Sequence, residues 1–133
     1  MKSSIKYYKG ADLIAVDVNG SFDLKRSKQL IQKIVKNPEY DKHYELVLDL
    51  QDISCDLSVA EVYKIASYMA YPNPEYPSHR KIAVVVADSK AFDHALFFET
   101  CALNRGLQVK SFRNVKDAEN WLQTDLSLTE ESG

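Results

Sequence analysis

The sequence predicts an α/β domain: a mixed five-stranded sheet that opens with an antiparallel hairpin and continues in parallel strand–helix units, with about four helices. Three observations predict it. Short β-branched runs alternate with longer stretches of helical period. After the opening hairpin each strand is followed by a helical segment, so parallel pairing with right-handed crossovers is expected. The run from Ile82 to Ala87 is unbroken and apolar, which suits a central strand covered by helices on both faces.

Taken in order, Ser4 to Lys9 is short and rich in β-formers, and Gly10-Ala11-Asp12 reads as a turn. Leu13 to Val18 follows as the second strand, closing the hairpin. From Asp23 to Lys36 the period becomes helical: Leu24, Leu30, Ile31, Ile34 and Val35 share one arc, with Ser27 inside it. Pro38 ends that helix, because proline disfavours helical geometry in the residue before it. Glu45 to Leu50 is the third strand, and a polar stretch follows. Ser58 and Glu61 have capping-box spacing and open a helix from Val59 to Ala70. Its buried face is expected to hold Val59, Val62, Ile65, Ala66 and Met69. Pro72, Pro74 and Pro77 make the next connection a loop. The fourth strand is Lys81 to Ala87. A helix from Lys90 to Arg105 stops at Gly106. Leu107 to Phe112 is a less buried fifth strand, and Asn114 caps a last short helix ending near Leu122. The single domain spans residues 1–124, and the polar tail 125–133 is expected to fray.

With 133 residues the chain has the size of one hydrophobic core. A net charge of −2 and a pI near 5.9 lack the basic excess of a dedicated nucleic-acid binder. No apolar run reaches the length of a membrane span, and the first residues lack the apolar stretch of a secretory signal. A cytoplasmic protein without an anchor is the expectation. Cys55, in the polar stretch, and Cys101, on the third helix, form no C-x-x-C pair and are read as reduced thiols.

Three stretches resemble the SpoIIAA-like family, within the broader STAS and SEC14-like group: Leu46 to Leu50, Lys81 to Val85, and Phe112-Arg113-Asn114-Val115-Lys116-Asp117-Ala118-Glu119-Asn120-Trp121-Leu122. The last is the most specific, a strand-end aromatic leading into a short helix with Ala and Trp-Leu. The resemblance follows the element order from about residue 12 to residue 122. It implies a non-enzymatic domain that binds a protein partner or a small apolar ligand and uses no cofactor. STAS anti-sigma-factor antagonists switch on phosphorylation of a serine in a context like Asp-Ser-Ser-Gly. Here the stretch reads Cys55-Asp56-Leu57-Ser58-Val59. Leu57 stands at the phosphoacceptor position, so the phospho-switch does not carry over.

Candidate site residues follow from the fold class. Ligands of open α/β sheets sit beyond the carboxyl ends of the strands, which points to Ser54, Asp56, Ser58, Asp88 and Ser89. Ser21, Ser58, Ser89 and Asn114 also stand where helix N-caps belong, and capping alone accounts for such residues. Asp49, Asp52 and Asp56 lack the spacing of an EF-hand loop, and a solvated loop is the favoured reading over a metal site. On the third helix, Phe92, Ala95, Leu96, Ala102 and Leu103 form the expected core stripe, with Glu99 inside it. A carboxyl there needs a partner, or a raised pKa that keeps it neutral. His94, Phe97 and Cys101 fall on the opposite flank, so an outward Phe97 suggests a partner or subunit contact. His43, His79 and His94 join no nucleophile motif. The expectation is a non-enzymatic binding or regulatory module, with a homodimer left open. The alternative is a SEC14-like carrier of a lipid or other apolar small molecule. A carrier requires an internal cavity beneath the third helix; an interaction module requires a packed core and an exposed apolar patch.

Overall fold

The computed structural model describes residues 2–40, 43–55, 57–70, 81–103 and 108–123. The proline loop, Asp56, His79, Arg105, Gly106 and the tail from residue 124 lie outside them. The elements are β1 (Lys2–Tyr8), β2 (Leu13–Phe22), α1 (Leu24–Val35), β3 (Glu45–Cys55), α2 (Val59–Ala70), β4 (Lys81–Val85), α3 (Ser89–Leu103), β5 (Gln108–Phe112) and α4 (Val115–Leu122). The five strands lie in the order β1-β2-β3-β4-β5. β1 and β2 are antiparallel, and every later pair is parallel.

This monotonic order decides where the helices go. Right-handed crossovers between successive parallel strands place α1, α2 and α3 on one face of the sheet. Ile14, Val16 and Val18 of β2, Leu46 and Leu50 of β3, and Ile82 and Val84 of β4 meet them in the main core. α4 follows the last strand and packs on the other face, where Ala118 and Leu122 cover Val47, Ala83 and Val85. It reaches β3, β4 and β5. The β1–β2 half of that face stays open, and Ser4, Lys6, Asp17 and Asn19 are exposed there. β1 is tied to the helix layer where the Tyr7 hydroxyl donates to the Ile34 carbonyl at 2.9 Å.

All four helices start on the same device, a side-chain oxygen accepting the backbone N–H three residues on. Asp23 accepts from Arg26 at 2.8 Å, Ser58 from Glu61 at 3.2 Å, Asp88 from Ala91 at 2.8 Å and Asn114 from Asp117 at 2.9 Å. Glu61 returns the bond by accepting the Ser58 N–H at 2.9 Å, completing the capping box. Ser21 and Ser89 are therefore not caps. Ser21 lies in β2, and Ser89 is the first residue of α3, behind Asp88. Asp fills both positions because its carboxylate is a strong acceptor beside the positive end of a helix.

Three other expectations are corrected. The polar stretch after Leu50 is not a loop: β3 continues through Cys55 and pairs with Asn19 to Phe22 of β2, past a register shift between Asp17 and Asn19. Cys55 thus belongs to a strand. Val59 is 57% exposed and lies outside the buried face of α2, which holds Val62, Ile65, Ala66 and Met69. α3 is rotated by about a quarter turn from the expected stripe. Its buried residues are Ala91, Ala95, Phe98, Cys101 and Ala102, while Leu96 and Leu103 are 43% and 72% exposed. Alanines let α3 sit close to the sheet, which the bulkier leucines would prevent. Cys101 is consequently buried, and Phe97 is half-buried against the main core.

Candidate functional site

The small residues of the helix layer have a second effect. Beneath α1, α2 and α3 lies a cavity that gives about 90 Å³ to the centre of a water-sized sphere. It is floored by β3 and β4 and runs to the carboxyl end of the sheet, where Phe22, Ile53 and Leu57 line it. Its roof includes Ser27 of α1, Met69 of α2, and Ala91 and Ala95 of α3. Leu48 shows how deep it reaches. Leu48 lies between Val16 and Val84 in register, both buried, yet is itself only half-buried. A mid-strand residue of an inner strand is accessible here because it faces the cavity.

Of the nineteen lining residues, seventeen are apolar; Ser27 and His94 are the exceptions. The Ser27 hydroxyl is already engaged, donating to the Leu24 carbonyl one turn back at 2.8 Å. His94 is half-buried, and its Nδ1 lies 2.8 Å from the Lys90 carbonyl. A carbonyl only accepts, so Nδ1 is the donor in this contact.

The residues expected to form a site are dispersed. Ser54 is exposed on β3 and pairs with Ser21. Ser58 is used in the capping box, and Asp88 caps α3 with Ser89 exposed behind it. Asp56 lies outside the described residues. Phe97 and Glu99 stand on different flanks of α3, as residues two apart on a helix must. Glu99 is half-buried and accepts the Ser111 N–H at 3.1 Å, so the partner its position demanded is a backbone amide of β5. The sequence reading missed the cavity lining, above all Leu48, Ala95 and His94. The available signal was the small residues, Ser27 within the α1 arc and Ala91 and Ala95 on α3, opposite large aliphatics of the sheet.

On the open half of the other face, Asp17 and Asp49 are register partners on adjacent parallel strands. Asp49 Oδ1 accepts from the backbone N–H and the side-chain amide of Gln51, at 3.2 and 3.0 Å. The Asp17 pKa is raised, first by desolvation and then by the charges of Asp49 and Asp52, with Lys6 opposing. Among the described residues no group of three or more His, Cys, Asp or Glu is placed to hold a metal ion. The raised value has a definite sign in stability. The native state holds the Asp17 proton to higher pH than the unfolded chain, so ionised Asp17 is a destabilising charge at neutral pH. The penalty is relieved as pH falls through the raised native value. Asp17→Asn should therefore stabilise the protein slightly at pH 7, by no more than about 0.5 kcal/mol, because Asp17 is exposed and solvent screens its neighbours' charges. Urea melts should show that gain disappearing near pH 3, below the ordinary aspartate value of about 3.9, where Asp17 is neutral in both states. An equal gain at both pH values would mean that charge is not the cause.

A sheet of one antiparallel and three parallel pairings, with three helices on one face and a fourth on the other, is a SpoIIAA-like α/β fold. The chain is similar in structure to an uncharacterised protein of the DUF3478 family with a SpoIIAA-like fold, from Shewanella loihica PV-4. The two align with a TM-score of 0.56 at 13% identity, over 90% of this chain and 93% of the other. No protein-family model matches the sequence, and no curated protein matches it. Among the described residues no helix is long and apolar enough to cross a membrane.

Proposed function

We propose that the protein is a non-catalytic binding domain that holds a small apolar molecule in the cavity beneath α1, α2 and α3. The observation that carries this reading is the lining: seventeen of nineteen residues are apolar, and the one hydroxyl among them is bonded to its own helix. Ligand pockets are mostly apolar with a few polar groups that fix orientation. A cavity with so few polar groups is a poor site for water, which needs two to four hydrogen bonds, and a good one for hydrocarbon. The carboxyl end of the sheet, where the cavity runs, is also where open α/β folds take up ligands.

Native mass spectrometry on protein recovered gently from its own host, compared with the denatured mass, tests the reading. A small excess mass that is lost on denaturation is the expected result. No excess mass, together with no uptake of an eight-carbon alcohol or ether added in excess, would sink it. A docking module for a second protein is the other reading. It rests on Leu96 and Leu103, seven residues apart on one flank of α3 and both exposed. It predicts a second protein chain in the same native spectrum.

A further inference from the structure

The two edges of the sheet differ, and the difference points to an interaction surface independent of the cavity. At the β5 edge the Glu99 carboxylate takes the Ser111 N–H at 3.1 Å. At the other end of the strand order, among the described residues, β1 has no strand beyond it. Its seven residues pair with β2 without a register shift and contain no proline, so it lacks the bulge or break that blunts an edge. Ile5 and Tyr7 lie half-buried at the rim of the main core, on the helix side. Ser4 and Lys6 are exposed on the other face.

Charge selects what fits this edge. Ser4 is the register partner of Asp17, and Asp17 that of Asp49, so one row across three strands reads serine, aspartate, aspartate. A strand added beside β1 meets that row at Ser4. A lysine opposite Ser4 can reach over the small hydroxyl toward Asp17, two strand spacings or roughly 10 Å away. β1 supplies such a lysine itself. When β1 pairs antiparallel with the β1 of a second copy, opposite side chains share a face, so both helix layers stay on one side only if the two-fold centre falls on a residue. Centred on Ser4, the pairing sets Lys2 against Lys6; centred on Lys6, it sets Lys6 against itself. Like charges directly opposite are destabilising. Centred on Ile5, it overlaps all seven residues, brings the two Ile5 side chains together, and sets each Lys6 opposite the Ser4 of the other copy.

We infer that β1 is a dimerisation edge: a second copy of this chain adds antiparallel to it about Ile5, with Lys6 of each copy set against Ser4 and Asp17 of the other. Each β1 then occupies the other, and Glu99 already closes the β5 edge, so the assembly stops at two. The stabilisation expected from Asp17→Asn belongs to the monomer, because in the dimer Lys6 of the second copy offsets the Asp17 charge.

Sedimentation equilibrium of the whole protein over a range of concentrations should show reversible growth to twice the 15.1 kDa chain mass and no further. Ser4→Lys tests the register. In the monomer the new lysine faces Asp17, so the fold is kept. In the dimer it stands opposite Lys6 of the other copy, twice by symmetry, and should raise the dissociation constant about tenfold. Adding Lys6→Glu turns both contacts into opposite-charge pairs and should recover most of that loss. Asp17→Asn should weaken the dimer even as it stabilises the monomer. Wild-type protein that stays monomeric at every concentration overturns the inference. A dimer that Ser4→Lys leaves unchanged, or that Lys6→Glu does not restore, overturns it as well, because the contact then lies elsewhere.

Discussion

Ala95→Leu should weaken the uptake of an eight-carbon alcohol about fiftyfold without lowering stability. Ala95 is buried on the inner face of α3 and lines the cavity. Leucine adds three carbons, which would occupy space otherwise taken by three methylenes of the chain. At about 0.8 kcal/mol for each buried methylene, the ligand loses roughly 2.4 kcal/mol, and 1.4 kcal/mol is a factor of ten. The protein gains from the same burial, offset by whatever strain the new side chain meets. Ala102 provides the contrast. It lies on the same stripe and is fully buried, but it does not line the cavity. Leucine there has no space to enter, so Ala102→Leu should destabilise by about 1–3 kcal/mol, the usual cost of overpacking. Calorimetric titration and urea melts of both variants check the pair. If the two substitutions destabilise equally, Ala95 does not face open volume. If Ala95→Leu leaves binding untouched, the chain sits elsewhere.

Much of the fold was legible because its signals are local. The capping box at Ser58 and Glu61 and the cap at Asn114 mark helix starts by side-chain chemistry over three residues, and both stand in the structure. The apolar run from Ile82 identified an inner strand, and Ile82 to Val86 are all buried. What was not legible depends on partners distant in the chain. Asp52 and Ser54 look like loop residues, and they form a strand only because Asn19 to Phe22 lie alongside. The rotation of α3 has a related cause. Local periodicity favours Leu96 and Leu103 as core, but the distance between helix and sheet selects Ala91, Ala95 and Ala102. Of the candidate site, Glu99 was expected to need either a partner or a raised pKa, and it accepts a hydrogen bond from a backbone amide of another element, β5, which local periodicity does not reveal. The cavity was the least legible feature. It consists of volume left between six elements, β2, α1, β3, α2, β4 and α3, and no single residue type announces it.

Glu99→Ala should lower the melting temperature by about 5–10 °C, because it removes the partner of a backbone amide under α3. The Phe112 carbonyl accepts the Val86 N–H at 2.9 Å, so Phe112 turns its backbone toward β4. In a parallel pairing alternate residues turn the other way. Ser111 therefore directs its N–H outward along the free edge of β5, where Glu99 takes it at 3.1 Å. The Ser111 hydroxyl is buried and has no hydrogen-bond partner among the described residues, so it offers no substitute. An amide left without a partner costs about 1–3 kcal/mol. For a chain of this size each kcal/mol shifts the midpoint by roughly 3–6 °C. Glu99→Gln keeps an acceptor oxygen but loses the charge, and a neutral bond is about half as strong. Its midpoint should fall between those of the wild-type protein and the alanine variant. The alanine variant also exposes an unpaired strand edge, the usual route to edge-to-edge association. Sedimentation should thus show concentration-dependent growth beyond the dimer for Glu99→Ala and none for Glu99→Gln. Thermal melts that place all three proteins together would mean that water serves Ser111 as well as the carboxylate does. The order alanine, glutamine, glutamate in rising stability would identify Glu99 as the group that closes the β5 edge.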